Sequence, residues 1–196
     1  MIQGSTLAPT YRTNIVNGLG VADFAAGPGT RRLRASADPT AYDFPTNGIT
    51  IAAIVRRTGS APAGQQALIS WAGNYRIDYN SPADAAPDDF LVTGFPVFVT
   101  LIAAPLLNNW YLLYQSGGGS GDNSNDAAYA SPGPEDTSAI GDPNINLPGP
   151  HDVEITAFSG DYEEAESFIL GGPMTVAERL ALQAYADAKY GSLPHA

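Results

Sequence analysis

The sequence contains no cysteine. That removes disulfides, thiolate nucleophiles and sulfur-ligated metals together. Only two histidines are present, His151 and His195, too few without cysteine to close a zinc site. Basic residues are scarce, nine against twenty acids, for a formal charge of −11. A phosphate backbone or an anionic bilayer would be repelled, so neither nucleic acid nor membrane is an expected partner. No apolar run approaches the roughly 18–20 residues of a membrane span. The longest strongly apolar piece, Val97 to Leu107, is broken by Thr100 and Pro105. The opening Met1-Ile2-Gln3-Gly4-Ser5-Thr6 lacks the basic start and apolar stretch of a signal peptide, which predicts synthesis and folding in the cytosol.

Glycine and proline are plentiful, twenty-one and sixteen residues, and 44% of the chain is apolar. This composition suits many short strands joined by turns around a sizeable core, and it disfavours a helical bundle. A chain of 196 residues accommodates one such domain over 1–196. Alternation and turn residues predict strands at Leu19 to Phe24, around Leu33, at Ile49 to Val55 after the Asn47-Gly48 turn, and at Phe95 to Ala103 and Trp110 to Gln115. Ala67 to Trp71 and Tyr75 to Tyr79 flank Ala72-Gly73-Asn74 as a hairpin. Val153 to Phe158 and Ala165 to Leu170 complete the strands. The segment 116–150, rich in Gly, Pro, Asn and Asp, reads as long loops with one irregular strand around Ala127 to Ala130. No repeat of 20–50 residues is present, which excludes solenoids and propellers.

The end of the chain carries the clearest local signal. Thr175 and Glu178 form a T-x-x-E capping box. Leu180, Ala181, Ala184, Tyr185 and Ala188 recur at helical steps, and Gly191 supplies the stop. The expectation is a helix over about 176–190, packed on the strands through Leu180 and Tyr185.

Glu166-Ser167-Phe168-Ile169-Leu170, then Met174-Thr175-Val176-Ala177-Glu178-Arg179 and Ala188-Lys189-Tyr190-Gly191, resemble the last strand and terminal helix of concanavalin A-like lectin/glucanase domains. More narrowly, they look like the laminin-G-like modules of phage virion and bacterial surface proteins. Asn17 to Phe24, followed by Ile49 to Val55, looks like the opening strands of the same modules. The resemblance implies a mostly β fold, an antiparallel two-sheet jelly-roll-like sandwich with one C-terminal helix. Fold alone names no function, because such sandwiches host lectins, glycanases and structural modules.

Glycanases of this superfamily place paired carboxylates on one strand. The nearest match is Glu163, Glu164 and Glu166, and simple alternation puts Glu164 and Glu166 on a common face; the central aspartate is missing. Ser120 lies in a glycine run, with Asp122 where a nucleophile elbow needs glycine. Neither set supports catalysis, and the chain is expected not to be an enzyme. Sugar or partner contact would use exposed aromatics, for which Trp110 after Asn108-Asn109 and Tyr129 in the long loop are the candidates. Asp122, Asn123, Asn125 and Asp126 place four oxygen-bearing side chains in five residues; the resemblance makes them a candidate calcium loop, although the spacing is not that of an EF-hand. Otherwise no cofactor is expected.

These features suggest a structural protein of a bacteriophage virion, a capsid decoration or small accessory head or tail protein. It would be assembled in the host cytoplasm, displayed on the virion surface, and associate with other virion proteins as a homo-oligomer such as a trimer. The alternative is a carbohydrate-binding module of a secreted bacterial enzyme or adhesin, with a glycan as ligand.

Overall fold

The computed structural model describes residues 10–24, 31–37, 48–59, 66–71, 75–79, 90–94, 97–102, 105–118, 127–131, 133–135, 137, 151–157, 161–191 and 193. Among these, twelve strands form two six-stranded antiparallel sheets, and one helix follows. The fold is a mostly β sandwich closed by a C-terminal helix. One sheet has the order β1(Thr10–Val16), β2(Leu19–Phe24), β12(Tyr162–Leu170), β4(Ile49–Arg57), β9(Trp110–Gly117), β10(Ala127–Ala130). The other runs β3(Arg31–Ala37), β11(His151–Ala157), β5(Gln66–Trp71), β6(Tyr75–Tyr79), β7(Phe90–Gly94), β8(Val97–Ile102). The helix, α1, spans Val176–Tyr190 and lies on the outer face of the first sheet.

Strand period two divides the core. Along β4, Ile49, Ile51, Ala53 and Val55 point between the sheets, where they meet Leu68, Ile69, Ile77, Tyr79, Phe90, Tyr111 and Leu113. Ala52 and Ile54 of the same strand point outward, under the helix, with Leu112, Tyr114, Tyr129, Met174, Ala186 and Tyr190. β4 is therefore buried on both faces, which is why its sequence reads as a nearly unbroken apolar run.

Two strands lie outside the expected set. β1 joins β2 through Asn17-Gly18, both at positive φ (47° and 76°), the geometry of a two-residue hairpin turn that favours Asn-Gly. Asn17 has a second task, donating its side-chain amide to the Lys189 carbonyl at 3.0 Å and so satisfying an end carbonyl of α1. β7 and β8 form a hairpin across residues 95 and 96, whereas the sequence predicts one run from Phe95 to Ala103. Gly48 is required by close approach, since a Cβ there would lie 2.3 Å from the Gly117 carbonyl oxygen.

The helix begins as expected, with Thr175 as N-cap and the full capping box to Glu178. Its packed face is not the expected one. Leu180 is 59% exposed and Tyr185 39%, while Arg179, Ala186 and Tyr190 are buried. Alanines lie along both sides of the helix, so periodicity fits either face; polar anchors select between them. Tyr190, Tyr185 and Lys189 all donate to the carboxylate of Glu166, at 2.6, 2.9 and 3.0 Å to Oε2. Arg179 donates to Glu135 at 2.8 Å and to the Met174 carbonyl at 2.7 Å. Upstream, Thr50 donates to the Gly172 carbonyl and Ser116 accepts from the Met174 N–H, fixing the link from β12 to the helix.

This arrangement ranks three substitutions. Tyr190→Ala should cost about 3–5 kcal/mol, as for other large buried side chains. Tyr185→Ala should cost only about 1–2 kcal/mol, chiefly its bond to a charged partner. Thr175→Ala should cost about 1 kcal/mol as a lost cap. Urea midpoints check the order, and equal losses at 185 and 190 would contradict the helix orientation.

Candidate functional site

The three glutamates of β12 part company at a bulge. Glu164 pairs with Val55 and Glu166 with Ile54, so one extra residue, Ala165, is accommodated between them. Glu164 consequently points between the sheets and Glu166 points outward to the helix. The common face expected from simple alternation does not exist. Burial holds the Glu164 carboxyl well above the ordinary carboxylate range, and its Oε2 has no hydrogen-bond partner among the described residues. For Glu166, burial pushes upward, but hydrogen bonds from Tyr190, Lys189 and Tyr185 outweigh it and hold the carboxyl below its ordinary value.

Tyr129, expected on an exposed loop, lies in β10 and is 6% exposed. The β9–β10 pairing places it under α1, stacked on Tyr114 at 5.0 Å. Its ring is committed to that packing. Asp122, Asn123, Asn125 and Asp126 lie outside the described residues. No cluster of three or more His, Asp or Glu with metal-binding geometry occurs among the described residues.

Trp110 is placed differently. It opens β9 on the outer face of the helix-covered sheet, at the end opposite the start of α1, and is partly buried. A single cross-strand row runs from it through five strands: Trp110, Arg56, Glu163, Asp23 and Thr10. Side chains in such a row lie within direct reach of one another. The Arg56 guanidinium sits over the Trp110 ring, 5.0 Å from its centroid. Arg56 Nε donates to Glu163 Oε2 at 2.5 Å, and Arg12 Nη1 donates to Glu163 Oε1 at 2.6 Å. Arg12 also faces Asp23 at 3.7 Å.

Glu163 is fully buried, and a lone carboxylate there would be costly. Two charge-assisted hydrogen bonds, one to each oxygen, offset that cost and fix both guanidiniums. The Arg12 side chain remains 46% exposed. The result is a partly buried indole beneath a largely buried Arg56, with the half-exposed Arg12 on the far side of Glu163. Sequence reasoning singled out Trp110 but missed Arg12, Asp23 and Arg56. A usable signal was present in β4, where Ala52, Ile54 and Arg56 share one face and the apolar run ends in a charge.

The other sheet has a row of polar positions in cross-strand register. Ser70 pairs with Arg76 on one side and with position 154 on the other, and position 154 pairs with Arg34. Arg76 donates to Asp78 at 2.8 Å, and Asp78 is buried.

The chain matches no protein-family model and no curated protein. Among solved structures it is similar to a glycoside hydrolase family protein from Mycobacterium thermorestibile, with 16% identity, a TM-score of 0.42, and 79% of this chain and 77% of that chain covered. One expectation is corrected by it: the reading that excluded an enzyme does not stand beside a neighbour described as a glycoside hydrolase family protein, and it is withdrawn.

Two measurements check this geometry. Glu163→Ala should cost about 3 kcal/mol, the low end for breaking a buried ion pair, because Arg12 can turn to water; Arg12→Gln should cost under about 1 kcal/mol. The raised carboxyl of Glu164 favours the protonated folded state, so its contribution is complete below the ordinary glutamate pKa and is lost as pH rises toward the folded value. Glu164→Gln should therefore gain stability relative to wild type at pH 8, with the gain shrinking toward pH 4. Parallel unfolding curves at every pH would contradict the inward placement.

Proposed function

We propose that this chain is a carbohydrate-binding β-sandwich that engages a glycan at the exposed end of its helix-covered sheet. The observation that carries this reading is the row Trp110–Arg56–Glu163 with Arg12 beside it. Pyranose rings offer apolar C–H faces to an indole and oxygen atoms to fixed donors. Here the donors are oriented before ligand arrives, which lowers the ordering cost of binding. A glycan array followed by calorimetry tests it. Micromolar binding to one glycan class, lost in Trp110→Ala while that variant remains folded by circular dichroism at the assay temperature, is the expected result. Binding unaffected by that substitution would place the site elsewhere.

Whether a bound glycan is also cleaved is read in the same samples. Release of reducing ends from the bound glycan would make this an enzyme.

A second reading, attachment to a bacteriophage capsid or tail lattice as a symmetric oligomer on the virion surface, is favoured by the helix. The helix exposes Val176 and Leu180, and Leu170 at the end of β12 is exposed as well. Exposed apolar side chains of this kind are what a protein contact surface would use. Cosedimentation with empty particles at a fixed copy number, lost in Leu180→Lys, would support it; failure to associate with particles would remove it.

A further inference from the structure

We infer that the sugar taken at the Trp110 site is acidic, a glycan built of uronic acid units whose carboxylate is held by Arg12 and Arg56. The inference rests on the carbohydrate reading above and narrows its ligand class. Glu163 has both oxygens committed, one to each arginine, so it has little capacity left to accept from sugar hydroxyls. Asp23, the other carboxylate of the row, is already turned toward Arg12. What the site has left to offer is therefore mainly donors.

Those donors are well placed. Among the described residues Arg56 donates through Nε, to Glu163, and its two Nη groups make no hydrogen bond to them. Among the described residues Arg12 donates through Nη1 alone, and its side chain is nearly half exposed. A guanidinium presents five N–H groups in a planar fork that matches a carboxylate, and it cannot accept a hydrogen bond. A neutral sugar hydroxyl both donates and accepts, and only its accepting half would be served here. A uronate brings two negatively charged acceptors, which use the remaining N–H groups without needing an acceptor in return.

Rigidity adds to the preference. Arg56 is held at Nε by a buried carboxylate and along its plane by Trp110, so its free edge is fixed in direction. The chain's net charge of −11 opposes an anionic ligand at long range, but that opposition is screened beyond about 8 Å in physiological salt. Among the described residues of the site, two arginines balance Asp23 and Glu163.

The test uses the whole chain and pairs of ligands that differ in charge alone: oligogalacturonate, alginate oligomers and a glucuronate-containing oligosaccharide, each beside its methyl ester, with neutral cello- and mannooligosaccharides on the same array. At least one uronate should bind about tenfold or more tighter than its ester, the worth of one charge-assisted hydrogen bond. Arg12→Gln, whose side chain is exposed enough for the fold to survive, should reduce that ratio to within about threefold while Trp110→Ala removes binding of both forms. Equal affinity for acid and ester, or binding confined to neutral sugars, would overturn the acidic preference and leave the carbohydrate reading standing. No binding to any glycan would overturn both.

Discussion

One inserted residue in β12 decides where three glutamates go. Without the bulge at Ala165, alternation would send Glu166 inward beside Glu164 and leave the helix without its anchor. With it, Glu163 faces out at the exposed end of the sheet, Glu164 faces into the core, and Glu166 faces out beneath α1. β12 lies between β2 and β4 in its sheet, so the consequences spread to both sides. Arg12 and Arg56 converge on the first glutamate, Tyr185, Lys189 and Tyr190 on the third. The middle one is buried, which shifts its carboxyl pKa well upward, and the Tyr162 hydroxyl is also shifted upward, by burial first and by the charge of Glu164 second.

The helix and the site divide one sheet face. α1 covers the part carrying Ala52, Ile54, Leu112 and Tyr114, with Tyr129 stacked in the same layer. Beyond it, polar side chains take over along the same strands: Arg56 follows Ile54 on β4, and Trp110 precedes Leu112 on β9. The change from apolar to charged along a single face marks where packing ends and accessible surface begins. Burial of Glu163 at that boundary is tolerable because two cations meet it, and the same contacts remove most of the freedom those cations would otherwise have.

Much of the fold was legible in the sequence because it follows from local rules. The capping box at Thr175 and Glu178, the apolar period of β4, the Ala72-Gly73-Asn74 hairpin and the short strand at Ala127 to Ala130 each have a mechanism confined to a few residues. The helix face was not legible. Leu180 and Tyr185 form as good an apolar stripe as Leu182, Ala186 and Tyr190, and the choice rests on partners far away in sequence, at positions 135 and 166. The bulge was hidden for the same reason, since nothing in Glu164-Ala165-Glu166 announces an extra residue. Tyr129 was misread because a four-residue strand inside a loop-rich segment gives no sign of what covers it. The site was half legible: Trp110 stood out as an aromatic after a turn, whereas its arginine partners reach it only through cross-strand register.

The sequence has two tryptophans, Trp71 and Trp110, so a protein labelled with nitrogen-15 gives two indole N–H signals that report separately on the two sheets. Titration with the best-bound glycan, followed in two-dimensional spectra, tests directly where ligand engages. Movement of the Trp110 indole together with the Arg56 Nε–H signal, while the Trp71 indole stays fixed, is the expected result. Shifts confined to Trp71, Ser70 and Arg76, with Trp110 unmoved, would place recognition on the opposite sheet and contradict the site described.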